Sequence, residues 1–160
     1  MSSQLLKINQ DIIIYDDTAI NEADENLFDT KYWHTQPQSK IVSKGRGEIL
    51  LININGQPAV LKHYYRGGLI ANALLDKYLW IGLESSRSFA EYKILRTMYK
   101  LNLPVPRPIA ARVNKQGLFY QADLITSQII GVNSMADLLL NQNFSTILLS
   151  LNLIFYVLPK

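Results

Sequence analysis

The sequence contains no cysteine and only two histidines, His34 and His63. The lack of cysteine excludes disulfides and thiolate metal sites, and so few histidines argue against a histidine-rich metal centre. Charged residues make up only 18% of the chain against 48% for apolar residues, a balance typical of a globular protein. With 160 residues the chain is long enough to bury the core of one domain.

The net charge of +3 hides an uneven distribution along the chain. Residues 1–40 carry three lysines and seven acidic residues, whereas residues 41–123 carry twelve basic and five acidic residues. A basic middle segment of net charge +7 suits an anionic partner, such as nucleotide phosphate, a phospholipid surface or nucleic acid. Charge alone does not choose among these three.

The first residues, MSSQLLKINQDIIIYDD, lack a basic start followed by a long apolar run, so we expect no secretory signal. A long uncharged run occurs only between Asp137 and Lys160. It is long enough to cross a bilayer, but it contains three asparagines and one glutamine, which are costly in hydrocarbon. We interpret this run as helix or strand that needs a partner, with a membrane span as the less favoured alternative.

Strand patterns flank two predicted turns. After an early strand at 11–15, Ile49 to Ile54 and Ala59 to Tyr65 read as strands joined by Asn55-Gly56, a dipeptide that favours a tight hairpin. Ile109 to Val113 and Leu118 to Thr126 predict a second hairpin. An acidic loop is expected up to Asp29.

Helical spacing predicts a long helix from about Ser86 to Leu101, with Phe89, Tyr92, Leu95, Met98 and Tyr99 on one stripe. Shorter helices are predicted over Leu69 to Trp80, after Gly67-Gly68, and over Ser134 to Leu140. Hairpins on both sides of one long helix indicate an α+β fold, an antiparallel sheet with the helix on one face.

Lys62 and Glu91 are the first candidates for a functional site. Strand alternation places Lys62 on the face shared by Val60 and Tyr64, where a lysine needs an anionic partner. Glu91 lies on the apolar stripe of the long helix, where a carboxylate is expensive unless it is paired. A strand lysine with a helix glutamate is typical of kinase folds, in which the pair holds nucleotide phosphates.

Each of these two residues also has an ordinary structural explanation. Lys62 fits an edge lysine that extends to water. Glu91 fits a capping box with Ser88, in which its carboxylate bonds back to the start of the helix. The residues alone leave both explanations open.

A glycine-containing loop, Gly45-Arg46-Gly47, precedes the first hairpin. Glycines separated by one residue let backbone N–H groups approach phosphates, but Leu50 stands where kinase loops have a third glycine, and an ordinary loop explains the pattern better. His63, Tyr65 and Arg66 form a basic aromatic cluster suited to a sugar phosphate, a lipid headgroup or stacking on a nucleobase.

Other residues remain open at this point. Tyr64, within the same cluster, fits a core position better than a binding role. Asp123 on the last strand suits a structural role as well as a functional one, and His34 receives no role.

The stretches AVLKHYYRGGL, DKYLWIGLE, LPVPRPIAARV and GLFYQADLIT resemble the 3-deoxy-D-manno-octulosonic acid (Kdo) kinases over roughly residues 40–140. The resemblance implies a protein-kinase-like small lobe and ATP-dependent phosphorylation of a Kdo hydroxyl on a lipid A precursor, with ATP and magnesium as cofactors. It also implies a peripheral position on the cytoplasmic face of a Gram-negative inner membrane, without nucleic acid or disulfide partners.

The resemblance further implies roles for particular residues. Lys62 would contact nucleotide phosphates, Glu91 would position Lys62, and Gly45, Arg46 and Gly47 would cover the phosphates. The segment around 125–131 would form the hinge near the adenine.

The sequence departs from the family after this hinge. No match to an H-A-D-L-N-x-x-N or a later D-F-D motif is present, and residues 138–160 contain neither acid nor histidine. A catalytic aspartate and magnesium ligands are therefore not supplied, and we expect a truncated or frameshifted kinase with its large lobe mostly absent. The expected division is an N-terminal extension at 1–40, a nucleotide-binding lobe at 41–130, and a hinge with an atypical apolar tail at 131–160.

Two other functions compete with this interpretation. One is another small-molecule kinase of similar fold. The second is a non-catalytic basic module that binds membrane lipid or nucleic acid through the middle segment.

Overall fold

The structure, a computed structural model, describes residues 2–43, 49–65 and 76–129. The elements lie in one compact unit, Met1–Gln128. In chain order they are β1 Ser3–Ile8, β2 Asp11–Asp16, a 3₁₀ turn Glu25–Phe28, α1 Thr30–Thr35, β3 Lys40–Ser43, β4 Ile49–Ile54, β5 Gln57–His63, β6 Tyr78–Leu79, α2 Arg87–Lys100, β7 Pro108–Gln116 and β8 Phe119–Ser127.

The strands form one sheet in the order β1-β2-β7-β8-β5-β4-β3, with β6 added beside β8. Each pairing in the described part of the chain is antiparallel. The predicted α+β fold, an antiparallel sheet with one long helix, is confirmed. Strands from both sides of residue 40 share this sheet, because β2 pairs with β7.

Both predicted hairpins are present. Asn55 and Gly56 join β4 to β5 with φ angles of 51° and 80°, the left-handed pair that a two-residue turn requires. The strand after this turn begins at Gln57 and ends at His63, two residues earlier at each end than predicted. The second hairpin turns at Gly117, whose φ is 61°. Its first strand, Pro108–Gln116, is longer than predicted, and its second, Phe119–Ser127, is displaced by one residue from the predicted span.

Helix α2 runs over Arg87–Lys100, close to the predicted span. Phe89 and Tyr92 are buried against strands β7 and β8, together with Val113 and Leu124. The predicted stripe ends early, since Tyr99 is 40% exposed. Ala111 on β7 and Ala122 on β8 leave room for these aromatic rings, so the helix packs on the middle of the sheet.

The opposite face of the sheet is covered by the segment between β2 and β3. Leu27, Phe28 and Trp33 pack there on Leu50 and Leu61. The acidic loop predicted up to Asp29 is interrupted by the 3₁₀ turn at Glu25–Phe28, and two of its acids cap helical elements. Asp24 accepts hydrogen bonds from the backbone N–H groups that start the 3₁₀ turn, and Asp29 accepts one at the start of α1.

Several predictions concern residues outside the described ranges. These are the glycine-containing loop, Arg66 to Leu75, the helix at 134–140 and the uncharged tail. The helix predicted over Leu69 to Trp80 is wrong at its C-terminal end, where Tyr78 and Leu79 pair with β8 as strand β6. Within the ranges that are described, no helix combines the length and apolar character needed to cross a membrane.

Candidate nucleotide-phosphate site

Strand β5 presents Lys62 on the face of the sheet that carries α2. The Nζ atom of Lys62 lies 3.3 Å from Oε1 and 3.4 Å from Oε2 of Glu91. Lys62 lies on strand β5 and Glu91 on helix α2, and the fold brings the two side chains into direct contact. The sequence prediction of a lysine–glutamate pair between strand and helix therefore describes the geometry that the structure has.

Tyr64 is a third member of this site. Its hydroxyl donates a 2.5 Å hydrogen bond to Oε2 of Glu91, and its ring lies 4.4 Å from the Nζ atom of Lys62. Burial, followed by the hydrogen bond and negative charge of Glu91, raises the pKa of Tyr64 well above its usual value, so its hydroxyl keeps its proton. The carboxylate is thus held from two sides.

The capping-box explanation for Glu91 does not hold in the structure. The residue that caps α2 is Ser86, which makes no side-chain capping bond to the helix. Ser88 instead donates a 2.8 Å hydrogen bond to the carbonyl of Arg112. Glu91 is therefore oriented by Lys62 and Tyr64 and not by the start of its own helix.

Exposure indicates what the pair can do. The side chains of Lys62 and Glu91 are 41% and 40% exposed. An ion pair this accessible contributes only about 0–1 kcal/mol to folding. Since one side of the ammonium group still faces solvent, it can bind an anionic group while Glu91 holds it in place.

The glycine-containing loop lies outside the described residues, but the strands that it joins are placed. It connects β3 to β4, and Ile49, the first residue of β4, is the cross-strand partner of Lys62. The chain therefore leaves the loop at the level of the lysine, on the neighbouring strand. A phosphate-covering role for Gly45 to Gly47 stays a prediction.

The predicted substrate-binding cluster is not brought together with Lys62. His63 and Tyr65 line a cavity of about 520 Å³ on the opposite side, next to Phe28 and Asp29, and their rings meet edge to face at 4.8 Å. Arg66 lies outside the described residues. Binding of substrate by these three residues stays a prediction.

A charged network that the sequence did not reveal lies beneath His63. Its Nδ1 atom is 2.6 Å from Oδ1 of Asp123, and Arg112 donates to the second oxygen of the same carboxylate at 2.8 and 2.9 Å. Asp123 is 1% exposed, and Arg112 also approaches Asp11 at 3.5 Å. Sixty residues separate Asp123 from His63, so no local spacing could have indicated the contact.

The hinge segment predicted for 125–131 is described only up to residue 129. Strand β8 ends at Ser127, and the backbone N–H of Gln128 donates to the carbonyl of Pro58 at 3.0 Å. In the described ranges, no three His, Asp or Glu side chains are grouped to hold a metal ion.

An antiparallel sheet carrying one long helix, with a strand lysine held by a helix carboxylate, is the architecture of a kinase-like small lobe. A family model agrees over residues 31–147, and the chain belongs to the lipopolysaccharide kinase (Kdo/WaaP) family.

Individual relatives support the same assignment. The chain is 39% identical to a 3-deoxy-D-manno-octulosonic acid kinase of Stenotrophomonas maltophilia (strain K279a) over 125 residues, which is 78% of this chain and 50% of the relative. It is 35% identical to the kinase of that name from Vibrio parahaemolyticus serotype O3:K6 over 139 residues, 87% of this chain and 58% of the relative. The corresponding Haemophilus influenzae (strain PittEE) protein is 38% identical over 144 residues, with shares of 87% and 59%.

The chain thus spans between 50% and 59% of the length of these relatives. None of the solved structures gives a significant match to the chain.

Proposed function

We propose that this chain forms the nucleotide-binding half of an ATP-dependent kinase that phosphorylates a Kdo hydroxyl on a Kdo–lipid A precursor in lipopolysaccharide core biosynthesis. The observation that carries the proposal is the contact of Lys62 with Glu91, 3.3 Å long, on a kinase-like small lobe. Membership of the lipopolysaccharide kinase family supports the reaction class, and the relatives' printed names support Kdo as the acceptor.

Three side chains have separate roles at the phosphate site. Lys62 binds a phosphate oxygen through its exposed side, and Glu91 fixes the direction of the ammonium group. Tyr64 donates to Glu91 and keeps the carboxylate from turning to solvent. Bound ATP supplies the phosphoryl group that a kinase transfers, and the exposed ammonium fits one of its phosphates.

In the part of the chain that the structure describes, the residues present do not fit a magnesium site. The described ranges contain no cluster of metal-ligating side chains, and residues 138–160 contain neither acid nor histidine. Since kinase chemistry needs an aspartate to orient the attacking hydroxyl and further ligands for magnesium, we propose that this 160-residue chain binds nucleotide without turnover.

The acceptor determines where the kinase works. A Kdo-bearing lipid A precursor lies in a membrane, so we propose a peripheral position on the cytoplasmic face of the inner membrane. The basic middle segment of net charge +7 favours contact with anionic phospholipids there.

Calorimetric titration with the ATP analogue AMP-PNP tests nucleotide binding, and a phosphorylation assay with ATP, magnesium and a Kdo-bearing lipid A precursor tests turnover. We expect saturable binding of the analogue and no phosphorylated product. Robust turnover by the 160-residue chain would contradict the proposal that it binds nucleotide without catalysing phosphoryl transfer. Binding to vesicles or oligonucleotides that falls steeply with salt and ignores nucleotide would favour a non-catalytic basic module.

A further inference from the structure

His63 contacts a carboxylate with each of its ring nitrogens. Nδ1 lies 2.6 Å from Asp123 on β8, and Nε2 lies 3.3 Å from Asp76, the first described residue after the gap at 66–75. The three side chains are only 15%, 1% and 23% exposed, in the order His63, Asp123, Asp76. The imidazole is therefore held between two acids in a largely buried position.

This geometry favours the protonated ring. An ionised carboxylate accepts hydrogen bonds and does not donate them, so a ring nitrogen that faces one is best satisfied when it carries a proton. Both nitrogens of His63 face carboxylates, and the imidazolium form satisfies both contacts. A neutral ring would place a lone pair against one of the two acids.

The position of His63 on β5 connects its two carboxylate contacts to the phosphate site. His63 lies between Lys62 and Tyr64, and strand alternation points it away from them, to the other face of the sheet. We propose that charged His63 is a positioning residue. Its contacts on the opposite face of the sheet anchor the end of β5, so that Lys62 and Tyr64 stay in contact with Glu91. The inference rests on the proposed phosphate site, whose pair it supports.

Most of the other charged groups around His63 favour the same state. Arg112 on β7 also binds Asp123 and opposes the positive imidazole, but Asp11 on β2 in turn faces Arg112. Glu25 and Asp29, in the segment that covers this face, line the same cavity. The acids outnumber the bases, so the surroundings stabilise a positive imidazole.

The pH dependence follows from the direction of the shift. Burial lowers the pKa of His63, but the hydrogen bond and charge of Asp123, and then those of Asp76, outweigh burial and raise the pKa above its usual 6.5. Such a group stabilises the fold fully below its unfolded pKa, and this contribution is lost as pH rises through the folded pKa. Loss of the proton releases the longer contact, to Asp76, first.

Nuclear magnetic resonance can follow both faces of the sheet in one titration. In the His34→Gln background His63 is the only imidazole, and Tyr64→Phe identifies the ring signals of Tyr64. We expect the signals of His63 and of Tyr64 to change together, with one common midpoint at a pH above 6.5. Tyr64 signals that stay constant while His63 titrates would overturn the positioning role.

Binding of AMP-PNP over the same pH range gives the functional readout. We expect affinity to fall about tenfold above the midpoint, the size expected from losing a charge-assisted contact. His63→Gln should bind at the weaker level throughout the range, and Asp76→Asn should move the midpoint to lower pH. His34→Gln is the matched control and should keep the wild-type profile.

These measurements separate the two proposals. If the analogue binds to no variant at any pH, the proposed function fails, while joint titration of His63 and Tyr64 still supports the anchoring of β5. If the analogue binds with a profile that His63→Gln leaves unchanged, the positioning role fails and the phosphate site stands. Melting curves for each variant show that the comparison is made between folded proteins.

Discussion

The ammonium group of Lys62 lies over the ring of Tyr64, 4.4 Å from its centroid. The two residues are on the same face of β5, two positions apart, and both contact Glu91. Stacking on the ring restricts the lysine from one side while the carboxylate restricts it from another. The side chain is therefore already oriented before any ligand binds, which lowers the entropic cost of binding a phosphate.

Removing the lysine should affect binding much more than stability. We expect Lys62→Ala to weaken AMP-PNP binding about tenfold or more, since a charge-assisted contact with phosphate is lost. Its melting temperature should stay close to wild type, because the ion pair is 41% and 40% exposed. Lys93→Ala, on α2, is the matched control: it breaks the exposed ion pair with Glu84, which precedes the helix, and should leave binding unchanged.

Tyr64 should contribute to both stability and binding. Tyr64→Phe removes the 2.5 Å hydrogen bond to Glu91, and we expect a loss of about 1.5 kcal/mol, the lower end for bonds to charged groups because water reaches the carboxylate. Urea unfolding measures this loss. Tyr99→Phe, at a site 40% exposed on α2, is the control and should be neutral. Equal effects of the two substitutions would contradict the role given to Tyr64.

Asp123 should be the most sensitive charged residue of the sheet. It is 1% exposed and balances His63 and Arg112. Asp123→Asn keeps the shape but leaves two cations without their shared partner, and we expect a loss of about 3–5 kcal/mol in unfolding free energy. Glu84→Gln, at a side chain 71% exposed, should change stability little in the same urea experiment.

Acid should weaken the contact between the N-terminal hairpin and the chain before β7. Asp16 is fully buried, and Arg107 donates to its carboxylate at 2.5 and 2.9 Å. Burial raises the pKa of Asp16, but hydrogen bonds from Arg107 and Thr18 outweigh burial and lower it below its usual 3.8. The contribution to stability is complete above 3.8 and is lost as pH falls through the folded pKa.

This pairing can be tested with Arg107→Met and urea unfolding as a function of pH. We expect the variant to be clearly less stable than wild type at neutral pH, and the difference to shrink as acid protonates Asp16. Arg96→Met, on α2, provides a matched arginine control without a contact to Asp16. A difference that stays constant down to the lowest pH would show that Arg107 acts through packing alone.

Much of the sheet could be predicted because its hairpins carry local signals. Asn55-Gly56 and Gly117 take the positive φ angles that their types favour, and the strands beside them are rich in β-branched residues. Helix α2 was recognisable from its spacing. Strand β1, Ser3–Ile8, was missed because exposed and half-buried positions do not alternate cleanly along it, and β6 has only two residues.

The site was predictable only in part, because only some of its contacts leave a local pattern in the sequence. Lys62 and Glu91 stand out because each is a charged residue in an apolar pattern. The sequence left a capping box open, since Ser88 has the right spacing and only the structure shows its bond to the Arg112 carbonyl. Contacts such as those of His63 with Asp123, sixty residues away, depend on strand order, which no local pattern specifies.

The pairing of β2 with β7 joins segments that are very far apart along the chain. Asn114 donates to Asp11 across a separation of 103 residues, between the second and third strands of the sheet order. During synthesis the first hairpin therefore waits with an open edge until β7 has left the ribosome, and closing so long a loop is slow. We expect late completion of the sheet and dependence on chaperones in the cell, so yield should improve when translation is slowed by cooling.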